Sequence, residues 1–185
     1  LREMDINPII VDEHGAVAVD ARIVIDHATQ TPGSYNHLAI LPYPVLLEER
    51  VNLAGRSLLL RPIRPEDEPR LNAFYAQATP QDMRLRFFLS RREVPHSELA
   101  RYTQIDYDRE MTFVALAAGD DEALLGEARA VCDPDNLRAE FAIQVAGDWQ
   151  RRGVGRTLLA KLLRHLRSRG VRQLERRQAV DLHRR

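Results

Sequence analysis

The amino-acid sequence predicts an α/β protein in which helices pack against an antiparallel sheet. Three β-type segments follow one another at 111–118, 123–132 and 138–146, and short turn sequences separate them. Successive strands joined by short turns are typical of an antiparallel meander. Directly after the third segment, leucines recur at helical spacing through 152–169, which predicts a long amphipathic helix.

The chain begins with a β-type hairpin. Residues 4–12 and 16–25 are rich in β-branched residues, and the turn sequence Glu13-His14-Gly15 lies between them. Pro8 indicates an edge position or a bulge, because proline cannot donate to a sheet ladder. Residues 27–44 contain three prolines and a glycine, which predicts a linker and a domain boundary.

The next segment predicts one more strand and three helices. Residues 45–51 form a short amphipathic stretch, and 56–63 are predicted to be a strand. Pro65 and the acids after it favour a helix start, and further helices are predicted from about Thr79 and across 97–104. The Arg-rich stretch around Phe87 and Phe88 is expected to combine core packing with solvated charges. A role at the acceptor or at the nucleotide end of the cofactor is the alternative. After the long helix, a strand is predicted over 171–174 and an unstructured basic tail over 175–185.

The composition narrows the classes of function. Hydrophobic residues make up 44% of the 185 residues and charged residues 29%, and no apolar run approaches the ~18 residues of a membrane helix. Cys132 is the only cysteine, which excludes an intramolecular disulfide and fits a reducing, cytoplasmic setting. The six histidines are scattered without metal-ligand spacing, so we expect no metal site. The lack of a long apolar run leads us to expect no membrane partner.

Charge is distributed unevenly along the chain. Residues 151–185 carry 12 basic and 2 acidic residues, against 15 and 25 in residues 1–150. A basic segment indicates an anionic ligand, although a GC-rich coding sequence explains the arginines most simply. The segment lacks the interleaved aromatic residues of a nucleic-acid binder, so no nucleic-acid partner is expected.

A glycine-containing segment stands directly before the long helix and runs Gln150-Arg151-Arg152-Gly153-Val154-Gly155-Arg156-Thr157. Glycines at a helix entrance let backbone N–H groups face an anion, and the first N–H groups of a helix have no partner within it. The arginines add positive charge and forked donors. The segment is therefore a candidate phosphate cradle. On spacing alone, a solvated helix entrance explains it equally well, since it matches neither a dinucleotide fingerprint nor an NTPase phosphate loop.

The order of the elements supports the cradle. A three-strand meander, then Gln150-x-x-Gly153-x-Gly155, then a leucine-rich helix resembles the GNAT acetyltransferase superfamily over about residues 56–174. The resemblance implies a mixed, mostly antiparallel sheet with flanking helices, and acetyl-CoA as co-substrate. It implies that the Gln150–Thr157 cradle holds the pyrophosphate. It also implies that the backbone of the preceding strand pairs with the pantetheine arm through Ile143, Gln144 and Val145.

Three further segments, 82–88, 105–111 and 139–142, resemble the GNAT domain of bacterial protein lysine acetyltransferases. Those enzymes are fused to a region similar to NDP-forming acyl-CoA synthetases. The N-terminal hairpin supports the resemblance to such a fusion protein, because residues 5–8 and 20–22 resemble the last hairpin of the ATP-grasp domain in those synthetases. In that family, the residues at the places of Asn7 and Asp20 hold the nucleotide's magnesium. Here we expect both to be vestigial, since most of that domain is absent.

The resemblance divides the chain into an ATP-grasp remnant over 1–26, a linker over 27–44, a GNAT domain over 45–174 and a basic tail over 175–185. The resembling fold continues past Leu174 with a further helix and two strands, which often supply the acid for the departing thiolate. We therefore expect the C-terminal strands to be missing and this fragment to be a poor enzyme.

The implied activity is transfer of an acetyl group from acetyl-CoA to an amine, with a lysine of a protein partner as the expected acceptor. An ammonium must lose a proton before it can attack. Glu140 is the expected base, with a solvated strand glutamate as the alternative, and Glu127 is a weaker candidate. Backbone N–H near Val145 would polarise the thioester oxygen. Two other functions stay open: a fragment of an acyl-CoA synthetase, and a CoA-binding module without catalysis.

Overall fold

The computed structural model describes residues 3–25, 41–87, 93–118 and 123–176. The chain divides into two compact units, Leu1–Ala39 and Ile40–Arg185. Most of the predicted linker over 27–44 lies outside the described residues.

The first unit is a long hairpin with a break in each arm. Its strands are β1 (Glu3–Ile6), β2 (Ile9–Asp12), β3 (Gly15–Ala18) and β4 (Ala21–Val24). β2 pairs with β3 and β1 with β4, both antiparallel, so the predicted hairpin is confirmed. The break falls at Pro8, which lacks an N–H group, and the backbone N–H of Val19 donates to the Pro8 carbonyl at 3.0 Å.

The described part of the second unit contains a mixed sheet of six strands. They are β5 (Glu49–Leu53), β6 (Arg56–Pro62), β7 (Glu110–Ala117), β8 (Leu124–Cys132), β9 (Arg138–Val145) and β10 (Gln173–Arg176). The strand order is β10-β9-β8-β7-β6-β5. Every neighbouring pair is antiparallel except β9 and β10, which are parallel. The expected mostly antiparallel sheet and its meander are therefore confirmed.

Two sequence-based boundaries are corrected. The amphipathic stretch predicted over 45–51 divides into a 3-10 turn at Val45–Leu47 and the first three residues of β5. β5 forms a hairpin with β6 through the left-handed residues Ala54 and Gly55. The predicted tail over 175–185 is wrong at its start, because Glu175 and Arg176 continue β10 and pair with Glu140 and Phe141. Residues 177–185 lie outside the described ranges.

In the described part of the chain, four α-helices flank the sheet: α1 (Glu68–Ala76), α2 (Pro80–Phe87), α3 (His96–Thr103) and α4 (Val154–Ser168). A 3-10 turn at Pro65–Asp67 leads into α1 as the sequence predicts. α4 begins at Val154 instead of Arg152, because Arg151 and Gly153 have positive φ angles of 59° and 92°.

The helices cover both faces of the central strands. Gly126 on β8 faces α4, since a Cβ atom there would lie 3.2 Å from Leu158 Cδ1. The next residue, Glu127, accepts a hydrogen bond from Tyr75 of α1 and so faces the opposite side. Buried leucines of α4 fill the first face: Leu158, Leu162 and Leu166. This arrangement places the entrance of α4 beside the end of β9.

Candidate functional site

The connection from β9 to α4 exposes the N-terminal end of the helix. A 3-10 turn at Gly147–Trp149 follows β9, and the left-handed Gly153 is the N-cap of α4. No side chain caps the first turn of α4. Its first N–H groups, at the positive end of the helix dipole, therefore face an anion without a competing side-chain acceptor. The predicted cradle therefore contains an uncapped helix N-terminus, a backbone form that can bind an anion.

Gly155 brings the helix into direct contact with the strand. A Cβ atom at Gly155 would lie 3.3 Å from Val145 Cγ2 and 3.6 Å from Ile143 Cδ1. A larger side chain would push the helix entrance away from β9. The glycine therefore sets the distance between the cradle and the strand residues predicted to hold pantetheine.

The three arginines of the cradle are exposed: Arg151, Arg152 and Arg156. Within the described ranges, none of them forms an ion pair with a carboxylate. The Arg152 guanidinium lies 5.5 Å from the ring centroid of Trp149, and Arg56 approaches the same ring at 5.8 Å. Trp149 is 9% exposed. Arg151 and Arg156 therefore remain available to an anionic ligand, in addition to Arg152 beside the Trp149 ring.

A cavity of about 510 Å³ extends from the cradle along β9, and we call it the strand cleft. It is lined by residues 141–145 of β9, by Gln150, Gly155, Arg156 and Leu159, and by Asp82, Arg86 and Arg176. Of the predicted cofactor-binding residues, six line it: Ile143, Gln144, Val145, Gln150, Gly155 and Arg156.

The remaining predicted residues lie outside the lining. Val154 is buried in the core at 1% exposure. The Thr157 hydroxyl donates to the Gly153 carbonyl at 3.0 Å, which leaves this side chain inside its own helix turn. Arg151 and Arg152 are on the outer surface of the loop.

The described part of β10 ends at Arg176, which pairs with Phe141. From Ala142 to Val145, one edge of β9 pairs with β8, and the described residues place no strand on its other edge. The Gln150 side-chain amide donates to the Val145 carbonyl at 3.3 Å and marks the cradle end of this segment.

A second cavity of about 320 Å³ adjoins the cleft, and we call it the carboxylate cavity. It is lined by Arg86, Glu98, Arg101, Tyr102, Glu110, Arg129, Val131, Glu140, Phe141 and Ala142. The two cavities share Arg86, Phe141 and Ala142. A group bound in the cleft and a group bound in the cavity can therefore meet over β9.

The Glu140 side chain lines the carboxylate cavity and is exposed. Within the described residues, its carboxylate forms neither an ion pair nor a side-chain hydrogen bond. A carboxylate with free lone pairs beside the junction of the two cavities can accept a proton from a ligand.

Glu127, the weaker candidate for the base, has a structural position. It is 1% exposed, accepts a hydrogen bond from the Tyr75 hydroxyl at 2.7 Å and pairs with Arg86 Nε at 2.8 Å. Burial and the Glu127 charge raise the pKa of Tyr75 well above its usual value. Glu127 lines neither the cleft nor the cavity and is committed to this buried cluster.

Arg86 is a site residue that sequence reasoning missed. The sequence placed it in a stretch of solvated charges, yet it is 3% exposed and lines both cavities. Burial alone would lower the pKa of Arg86, but the Glu127 carboxylate outweighs burial and raises it. The guanidinium therefore stays charged inside the fold.

Asn7 and Asp20 come together in the first unit through the backbone. The N–H of Asn7 donates to the carbonyl of Asp20 at 3.1 Å. Across the described ranges, no group of three or more histidine, cysteine, aspartate or glutamate side chains is arranged to hold a metal ion. No helix among the described residues is both long enough and apolar enough to cross a membrane.

An uncapped helix entrance in direct contact with β9 suits the pyrophosphate of a CoA thioester, as in the fold of CoA-dependent acyltransferases. Residues 78–185 match the model of the acetyltransferase (GNAT) family, and the chain belongs to this family. Members of the family use acetyl-CoA as co-substrate. The free helix N-terminus and the contact of Gly155 with β9 fit that molecule.

Known relatives agree with this assignment. An acetyltransferase of Pseudomonas aeruginosa is 32% identical over 121 residues, which are 65% of this chain and 65% of the relative. The crystal structure of the GNAT domain of S. lividans PAT is similar with a TM-score of 0.64 and 26% identity, over 70% of this chain and 77% of that domain. A GNAT-family acetyltransferase from Streptococcus pneumoniae shares the fold at a TM-score of 0.50 and 18% identity, over 62% and 69% of the two chains.

Proposed function

We propose that the protein transfers the acetyl group of acetyl-CoA to the ε-amine of a lysine in a protein partner. One observation carries the proposal: Glu140 lies in the carboxylate cavity, and this cavity meets the strand cleft at Phe141 and Ala142. A donor in the cleft and an amine in the cavity are thereby brought together beside a free carboxylate.

The donor occupies the strand cleft. Its pyrophosphate accepts hydrogen bonds from the first N–H groups of α4, and Arg151, Arg152 and Arg156 supply charge around it. Its pantetheine arm pairs with the backbone of β9 over Ile143, Gln144 and Val145. This places the thioester near Ala142, where the two cavities meet.

The acceptor amine enters the carboxylate cavity as an ammonium ion. Glu140 takes a proton from it, directly or through a water molecule, and frees the lone pair. The amine then attacks the thioester carbon, and a backbone N–H near Val145 stabilises the oxyanion. Collapse of the intermediate breaks the carbon–sulfur bond, and CoA leaves as a thiolate. The nitrogen gives up its extra proton to this thiolate or to water, which leaves a neutral amide. Holding both reactants in one complex lowers the entropic cost of attack.

Two observations support a protein lysine as acceptor. Glu140, unpaired among the described residues, offers its carboxylate to a cationic side chain in the carboxylate cavity, which is lined by three glutamates and three arginines. The chain also resembles the GNAT domain of bacterial protein lysine acetyltransferases, and it is similar to the GNAT domain of S. lividans PAT.

The single cysteine of the sequence supports the further proposal that the protein acts in the reducing cytoplasm.

The test combines the chain with acetyl-CoA and a lysine peptide. We expect CoA thiol release together with an acetyl-lysine product detected by mass spectrometry, and no release with a peptide that carries arginine in place of lysine. Binding of acetyl-CoA without release from any amine would instead identify a CoA-binding module. Thioester synthesis that requires ATP would identify an acyl-CoA synthetase fragment.

We further propose that the first unit is a remnant of an ATP-grasp domain, with Asn7 and Asp20 as vestigial ligands and the acetyltransferase domain after it. The interrupted hairpin and the hydrogen bond from Asn7 to Asp20 support this origin. Backbone NMR signals of both residues should stay unchanged on addition of magnesium ATP. Saturable shifts would show instead that the unit still binds nucleotide.

A further inference from the structure

Two arginines of the carboxylate cavity have hydrogen-bond donors that no group in the described part of the chain accepts. Arg86 is 3% exposed and Arg129 is 7% exposed. Arg86 uses Nε for Glu127, and Arg129 uses Nη2 for Glu110. Within the described residues, Nη1 and Nη2 of Arg86 and Nε and Nη1 of Arg129 have no acceptor. Buried donors without acceptors are rare in folded proteins and call for an explanation.

Both guanidinium groups approach the same aromatic ring. The central carbon of Arg86 lies 5.6 Å from the ring centroid of Tyr102, and that of Arg129 lies 4.6 Å from it. The Tyr102 hydroxyl donates to Glu98, which fixes the ring. Each guanidinium is thus held by one carboxylate and by the ring, and its remaining donors have no acceptor among the described residues. A guanidinium edge with unused donors can bind a further oxyanion.

The pair flanks the point where the two cavities meet. Arg129 is the register partner of Ala142, whose small side chain leaves room above β9. Arg86 lines the strand cleft as well as the carboxylate cavity. Glu140 is two residues from Ala142 on the same face of β9.

We propose that Arg86 and Arg129 form a subsite for a carboxylate carried by one of the two substrates. The carboxylate ends either a dicarboxylic acyl chain on CoA or an acidic side chain beside the acceptor lysine. This proposal rests on the proposed function, because that function places the reacting atoms at Ala142.

A carboxylate suits the subsite better than a phosphate. Its planar pair of oxygens matches the forked edge of a guanidinium. A phosphate dianion would bring more negative charge close to Glu98, Glu110 and Glu140, which line the same cavity of about 320 Å³.

The experiment has two arms that separate the sources. The first compares acetyl-CoA with succinyl-CoA as donors to one lysine peptide with neutral neighbours. The second uses acetyl-CoA with two peptides that carry glutamate or glutamine next to the lysine. In one of the two arms we expect kcat/KM to be at least about tenfold higher for the substrate with the extra carboxylate than for its neutral counterpart. The arm that shows this preference identifies which substrate carries the carboxylate.

Variants assign this preference to the arginine pair. R129Q should reduce the ratio to below about threefold, whereas R138Q, which changes an exposed arginine of β9, should keep it. Should R129Q fail to fold by circular dichroism, R129K keeps the charge beside Glu110 but loses the forked edge, and it should lose the preference too. Equal kcat/KM values in both arms, or a preference that survives in the folded Arg129 variant, would overturn the proposal.

Binding separates this proposal from the proposed function. In E140Q, where proton removal is abolished, calorimetry should still show tighter binding of the carboxylated substrate, and R129Q in that background should remove the difference. Binding selectivity without turnover in the wild type would contradict only the proposed function. Turnover without binding selectivity or kinetic preference would contradict only the carboxylate subsite.

Discussion

A Cβ atom on Gly155 would lie 3.3 Å from Val145 Cγ2, so this glycine is the point at which α4 touches β9. Gly155→Val adds three carbons to a contact that is already close. We expect a loss of about 1–3 kcal/mol of unfolding free energy, because an overpacked contact forces the backbone apart. Acetyl-CoA affinity should fall as well, since the helix entrance moves away from the strand.

Urea unfolding and titration calorimetry measure the two effects. Gly147→Ala is the matched control, because a Cβ atom there would have nothing within 4 Å. Unchanged stability and affinity in Gly155→Val would mean that the contact between α4 and β9 is loose.

The charge at the cradle can be tested at Gly153. Gly153→Asp places a carboxylate where the pyrophosphate is proposed to bind, and Gly153→Asn introduces the same left-handed strain at φ of 92° without the charge. Calorimetry should show acetyl-CoA binding at least about tenfold weaker in the Asp variant than in the wild type, a loss of about 1.4 kcal/mol. The Asn variant should lie much closer to the wild type. Equal affinities in all three proteins would exclude the cradle as the phosphate site.

The proposed base predicts a loss of rate without a loss of binding. Glu140→Gln keeps the side-chain shape but cannot take a proton, so turnover should fall by about 10²–10⁴ while acetyl-CoA still binds. Glu175→Gln is the control, because Glu175 is the β10 register partner of Glu140 and lies outside both cavities. Near wild-type turnover in Glu140→Gln would make Glu140 a solvated strand residue.

The buried pair of Arg86 and Glu127 predicts a large stability effect. Glu127→Gln leaves the Arg86 charge without its partner, and we expect a loss of about 3–5 kcal/mol in unfolding free energy. Tyr75→Phe removes one hydrogen bond to the same carboxylate but leaves the ion pair, so about 0.5–1.5 kcal/mol should be lost. Urea denaturation compares the two. Similar losses in both variants would show that the ion pair adds little beyond one hydrogen bond.

Features that depend on neighbouring residues were predictable from the sequence. The alternation in 138–146 and the leucine spacing of 152–169 gave β9 and α4, and the glycines between them indicated the helix entrance. The start of β5 was not predicted, since its short apolar alternation becomes a strand only by pairing with β6.

Features that depend on distant residues were not predictable. The burial of Arg86 requires Glu127, 41 residues further along the chain, and Glu127 in turn binds Tyr75. Without that contact, an arginine in an Arg-rich helix is expected on the surface. Glu127 lies on β8, whose sequence is mostly apolar. A charged residue in such a strand needs a partner inside the protein, and this was the available signal in the sequence.

His165 on α4 predicts a loss of stability in acid. Its ring packs edge-on against Phe113, with centroids 5.8 Å apart, and burial followed by the Lys161 charge lowers the pKa of His165 below its usual 6.5. Between the lowered pKa and 6.5, the unfolded chain binds a proton that the folded chain does not, so the free energy of unfolding falls as pH decreases.

We expect urea midpoints to drop between pH 7.5 and pH 5.5 and the drop to be smaller in His165→Leu, because leucine cannot take up the proton in either state. His14→Gln serves as the control, since His14 is an exposed histidine of the first unit. It should keep the wild-type pH dependence. If His165→Leu showed the same drop as the wild type, protonation of His165 would have no part in the acid sensitivity, and carboxylates paired in the folded state would have to account for it.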